Sequence, residues 1–148
     1  MRLKRTALRL GAVAATGALV VGGLGLTTSA ASAAEVVGTA TTSIQAGTTS
    51  STFAIYTPTT CPSGDRLITK ISGTGFPAGG YNIGGNVPAV DARFGSGYKI
   101  EALETLATMA SENAFTIASG TTYTITVSCV TGLSTVSSAD FTTPIYFY

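Results

Sequence analysis

Thr122-Tyr123-Thr124-Ile125-Thr126-Val127-Ser128-Cys129 is the stretch whose reading decides the fold. Apolar residues and cysteine take every second position, and each residue between them is Thr or Ser. A β-strand sends successive side chains to opposite faces. This period of two therefore predicts an antiparallel strand with one face in a core and the other in water. Tyr123, Ile125, Val127 and Cys129 would point inward. After a loop from Thr131 to Ser138, Phe141, Thr143, Ile145 and Phe147 line one face of a final strand. Pro144 has no amide hydrogen, which predicts that this strand lies at an edge or carries a bulge.

Moving upstream, Arg66 to Ser72 alternates in the same way, with Leu67, Thr69 and Ile71 on one face. A shorter alternating run covers Thr52 to Tyr56. Two prolines and a glycine interrupt the chain between these runs, so the pair predicts a hairpin with Cys61 in its loop. Gly73 to Gly80 reads as a turn, Tyr81 to Gly84 as a strand, and Val87 to Gly97 as irregular. Ile100, Leu103, Ala107 and Ala110 lie at helical spacing. That predicts a short helix over 102–110, in competition with a strand over 98–103. Phe115 to Ile117 reads as a strand. Hydroxyl side chains dominate Thr39 to Thr52, which suits an edge strand because the β-branch of Thr fits a pleated surface. One sheet alone cannot cover its apolar face, so the expected fold is all-β: an antiparallel β-sandwich of about seven strands with one short helix or irregular crossover.

The first residues follow a different logic. Arg2, Lys4, Arg5 and Arg9 precede an apolar stretch from Leu10 to Leu26, and small residues follow. This is the layout of a secretory signal peptide. Ala31-Ser32-Ala33 fits a narrow peptidase pocket, so cleavage is expected after Ala33, with Ala34 as the neighbouring choice. The apolar stretch is shorter than the ~20 residues of a bilayer span, and no stable membrane insertion is expected after cleavage. The expected organisation is a signal peptide over 1–33, a Ser/Thr-rich segment over 34–51 and a β-sandwich over 52–148. The product would be secreted, either free outside the cell or associated with the cell wall.

Removing the leader changes the charge balance. The whole chain carries +1, but four of its eight basic residues lie in the leader, and all seven acidic residues lie beyond it. The remaining domain is mildly acidic. Nucleic-acid binding needs a basic footprint to release counterions, so that partner class is not expected. Cys61 and Cys129 are the only cysteines. In an oxidising compartment an even pair in a small domain predicts a disulfide, with two separate buried thiols as the alternative. The chain has no histidine, which removes the imidazole base, the Ser-His-Asp arrangement and the commonest metal ligand. No catalytic residue, metal or cofactor is expected.

Gly73-Thr74-Gly75-Phe76-Pro77-Ala78-Gly79 after an alternating strand resembles a turn of bacterial immunoglobulin-like domains, and Thr122-Tyr123-Thr124-Ile125-Thr126-Val127 resembles one of their late strands. Together with Cys61-Pro62-Ser63-Gly64 and the closing Asp140-Phe141-Thr142, the chain is similar to small exported actinobacterial proteins of this type. The resemblance implies an immunoglobulin-like sandwich over about 53–148. Lys70-Ile71-Ser72-Gly73-Thr74-Gly75 and Ala78-Gly79-Gly80-Tyr81-Asn82-Ile83-Gly84 also resemble the start of neocarzinostatin-type apoproteins, which carry a chromophore in a cleft. That family has two disulfides and this chain can form only one, so the fold carries over and the ligand does not.

These readings lead first to an exported, non-catalytic module that binds an extracellular or cell-surface partner or has a structural role there. A carrier of a small apolar molecule is the alternative, and a protease inhibitor a more distant one. Loops on a rigid sandwich usually carry binding. The candidates are therefore Asp91, Arg93 and Tyr98 in the first irregular region and Thr131 and Leu133 in the last loop. The partner's identity and the oligomeric state are not encoded in any readable motif.

Overall fold

The computed structural model describes residues 34–148. The leader and the cleavage position after Ala33 lie outside the described residues. From Ala34 onward the chain forms an all-β sandwich with one short helix. Its strands are β1 (Glu35–Thr39), β2 (Thr41–Thr42), β3 (Ala46–Gly47), β4 (Ala54–Tyr56), β5 (Arg66–Ser72), β6 (Tyr81–Pro88), β7 (Arg93–Phe94), β8 (Gly97–Glu101), β9 (Thr121–Val130) and β10 (Ala139–Phe147), with α1 (Leu106–Asn113) between β8 and β9. Among the described residues there are ten strands rather than about seven: the 34–51 segment supplies three where one was expected, β7 and β8 are added, and the expected 115–117 strand is lost.

One sheet runs β1-β10-β9-β5-β6, with β3 also on β10, and the other runs β2-β4-β8-β7. The N-terminal segment thus contributes to both sheets, β1 and β3 to the larger and β2 to the smaller. The alternation read in β9 is fully expressed. Tyr123, Ile125, Val127 and Cys129 are buried and oppose Ile145, Thr143, Phe141 and Ala139 of β10. Burying a side chain the size of Ile125 or Val127 stabilises the fold by about 1.5–3 kcal/mol. Across the interior they join Ile55, Tyr98 and Ile100 of the second sheet and Phe53 just before β4.

The predicted hairpin between the Thr52–Tyr56 run and β5 does not form. β4 pairs with β2 and β8, whereas β5 pairs with β6 and β9. The segment carrying Cys61 is therefore a crossing from one sheet to the other. The predicted Phe115–Ile117 strand is also absent. Phe115 packs its ring at a tilt against Phe76 and edge-on against Tyr81, with centroids 5.6 and 5.0 Å away, so Phe115 is fixed by side-chain packing rather than by a ladder. Both competing readings of residues 98–113 are partly realised, one after the other. β8 ends at Glu101, and α1 starts four residues later than the predicted helix. Thr105 sets that start by accepting the Thr108 N–H on its hydroxyl, as an N-cap residue does.

Pro144 lies within a strand that is paired on both sides, and the ladder explains how. Tyr146 and Tyr148 donate their N–H groups to Gln45 and Gly47, and Thr142 accepts from Ala40. Even-numbered residues of β10 thus turn their backbone groups toward the N-terminal segment. Pro144 belongs to that series, and it falls where the segment has left β10 to pair with β4 as β2. Its missing N–H removes no ladder bond.

Candidate functional site

The registers bring three connections to one end of the sandwich. Pro88 of β6 opposes Arg66 of β5, which opposes Val130 of β9. The β4–β5 crossing (57–65), the β6–β8 region (89–97) and the β9–β10 loop (131–138) therefore emerge side by side. Neighbouring strands lie ~4.8 Å apart, so the exits of β6 and β9 are roughly 10 Å apart. The loop candidates read from sequence thus belong to one face.

A dense set of bonds holds this face. Cys61 and Cys129 form a disulfide with their Cα atoms 5.8 Å apart. Because Cys129 is buried on β9 and Cys61 follows β4, the bond ties the sheet-to-sheet crossing to the opposite sheet. The Cys61 N–H donates to the Tyr98 hydroxyl at 3.1 Å. Tyr98 and Thr57 are joined twice more, through Thr57 N–H to Tyr98 O and Tyr98 N–H to Thr57 Oγ1, both at 3.0 Å. Gly97 must be glycine for this approach, since a Cβ there would lie 2.0 Å from the Thr57 carbonyl oxygen. Ser96 Oγ adds a bond to Pro58 O at 2.9 Å.

Asp65 links the remaining loops. Its carboxylate accepts the Gly132 N–H at 2.7 Å, its own N–H donates to Val130 O, and its carbonyl accepts from Ala89 N–H. Ser138 Oγ reaches Ser63 O at 3.2 Å. Asp140 accepts from the Ser137 hydroxyl at 2.6 Å. These two carboxylates are thus engaged in holding loops.

Above this scaffold the loops expose apolar side chains. Leu133 is 92% exposed, Val90 74%, Val136 73% and Phe94 57%. Val90 and Asp91 form a turn closed by the Asp91 N–H on Pro88 O, while Thr131 O accepts from Ser134 N–H and so presents Leu133 at the tip. Phe94 packs against Tyr56 with ring centroids 5.7 Å apart, and the Arg93 guanidinium lies 5.6 Å from the Tyr98 ring centroid. Among the sequence candidates, Asp91, Arg93, Thr131 and Leu133 are exposed on the face. Tyr98 is 2% exposed and contributes from beneath, as a brace. Sequence reasoning missed Val90, Phe94 and Val136. Their signal was an apolar residue within a turn-rich stretch, where no strand periodicity assigns it to a core. It also missed Asp65, whose role depends on loops that meet only in three dimensions.

At the opposite pole, Tyr123 is anchored by its hydroxyl, which donates to Ala118 O at 3.1 Å and accepts from Ala118 N–H at 2.9 Å. This pair of hydrogen bonds closes the turn that leads into β9. Nearby, a groove of about 420 Å³ opens where the N-terminal segment passes from one sheet to the other, between residues 39–45 and the edge of β10.

Among the described residues, no helix is long and apolar enough to cross a membrane. A disulfide fits an oxidising compartment. Neither a family model, nor a curated protein, nor a solved structure matches this chain.

Proposed function

We propose that this chain is an exported, non-catalytic immunoglobulin-like module that binds an extracellular or cell-surface protein through the face at its disulfide end. The observation that carries this reading is the exposure of Val90, Phe94, Leu133 and Val136 on loops that are otherwise firmly braced. Apolar side chains gathered on one face and held rigidly are what a protein interface needs, because little ordering entropy is lost on docking. Interface affinity concentrates in a few central anchors, and Phe94 on Tyr56 and Leu133 at the loop tip are the anchors here. The leader-like start of the sequence and the disulfide support a location outside the cytoplasm.

The test is photo-crosslinking from a probe placed at Asp91 or Thr131, on intact producer cells and wall material, in the parent and in a Leu133→Ser/Phe94→Ser variant. Recovery of a discrete protein partner that the double variant fails to capture is the expected result. Capture by the variant equal to that by the parent, or no crosslink above background, overturns the reading.

A further inference from the structure

We propose that the groove between residues 39–45 and β10 is a binding site for a neutral carbohydrate. Three observations point to this ligand class. The first is charge. Among the described residues the groove is lined by Thr, Gln, Tyr and small or apolar side chains, and by no Asp, Glu, Lys or Arg. A phosphate, a sulfate or an acidic peptide would find no counter-charge there.

The second is hydrogen-bonding capacity. Among the described residues, Thr39, Thr41, Gln45 and Thr122 border the groove with side chains that make no hydrogen bond, while Thr42 and Thr143 of the same lining turn their hydroxyls to Ile44 O and Pro144 O. Hydroxyl groups both donate and accept, and an amide offers two donors and an acceptor. Such a lining matches the hydroxyls of a sugar, which also do both. The volume lies within the ~300–1,000 Å³ range of small-ligand sites.

The third is the rim. Tyr146 lines the groove and Tyr148 lies beside it, their ring centroids 6.4 Å apart; they are 38% and 64% exposed. An aromatic ring offers an apolar face with a polar tip, and the C–H face of a pyranose ring stacks on such a surface. A peptide is the less suitable occupant. An added strand would have to pair with the unpaired stretch of β10, and Pro144 denies it a donor there.

Binding is tested by titrating the ¹⁵N-labelled protein, from residue 34 onward, with cellohexaose, laminarihexaose, chitohexaose and mannohexaose to millimolar concentration, with a polygalacturonate oligomer as the charged control. At least one neutral hexaose is expected to shift the amides of Thr41, Gln45, Thr122 and Tyr146. Gln45→Ala and Tyr146→Ala should each weaken that binding by about tenfold or more, while Glu112→Gln, exposed on α1 and outside the groove, binds like the parent. Both altered side chains are exposed, and unchanged circular dichroism melts establish that the variants are folded. The proposal is overturned if no neutral hexaose shifts these amides. It also fails if the shifts map to another surface, if the charged oligomer gives the same shifts, or if both groove variants bind like the parent.

Discussion

Reducing the Cys61–Cys129 bond should lower the thermal midpoint by about 15–20 °C while leaving a folded sandwich at room temperature. The bond spans 68 residues. In the chain-entropy model, releasing a loop of that length returns about 15 cal/mol/K to the unfolded chain, or about 4 kcal/mol at 25 °C. A domain near this size loses roughly 4 °C per kcal/mol, which gives the stated shift. Cys129 is fully buried beside Val127 and Ala139, whereas Cys61 is only partly buried in the crossing. The thiols can therefore separate without opening the main core. Calorimetry of oxidised and reduced protein measures the midpoint. Amide hydrogen exchange shows where the loss falls: faster exchange should appear first in 57–65 and 131–138, with β5 and β10 still protected. A midpoint shift below about 5 °C would mean that the crossing is held by its hydrogen bonds and not by the covalent closure invoked here. Two free thiols in denatured, unreduced protein would refute the bond itself.

Gly97→Ala should lower stability by about 1–3 kcal/mol, read as a reduced urea midpoint at constant slope, because the new Cβ meets the Thr57 backbone. Tyr123→Phe removes the hydroxyl that serves both backbone groups of Ala118. A loss of about 1–3 kcal/mol is expected, with Tyr98→Phe as a comparison at the other pole. Lys99 sits in an exposed pair with Glu101, whose hydrogen bond and charge raise its pKa above the ordinary 10.5. A raised pKa means that the contribution of the pair is complete below that range and is lost as pH rises through the folded value. An NMR titration of the Lys99 side chain should show the raised value returning toward normal in Glu101→Gln, with almost no change in melting temperature at neutral pH.

The faces of the strands were legible in the sequence, but their partners were not. Leu67, Thr69 and Ile71 declare their side through period two, and β5 begins and ends at the residues that pattern marks. The same pattern is silent on pairing, because alternation specifies which face is buried and not which neighbour supplies the ladder. Two runs separated by a Pro/Gly stretch therefore read as a hairpin, although the stretch crosses between sheets. In residues 98–113, Ile100 suited both a helix and a strand. The decisive group was Thr105, whose capping hydroxyl fixes where the helix begins. The loop face was half visible: turn chemistry located its loops, but the inward course of Tyr98 and the reach of Asp65 arise from packing. The groove had no local signature at all. It exists because the N-terminal segment leaves β10 after Ala40, pairs two residues with β4, and rejoins β10 only at Gln45.

That same parallel pairing governs when the domain can assemble. Glu35 opposes Ala139 and Gly47 opposes Phe147, so the outer rows of the larger sheet have no template until β10 is available. Contacts this distant in sequence form late and slowly. Refolding can build the β5–β6 hairpin early, but the first strands are sealed only once β10 is in place. Completion of the larger sheet therefore waits on β10.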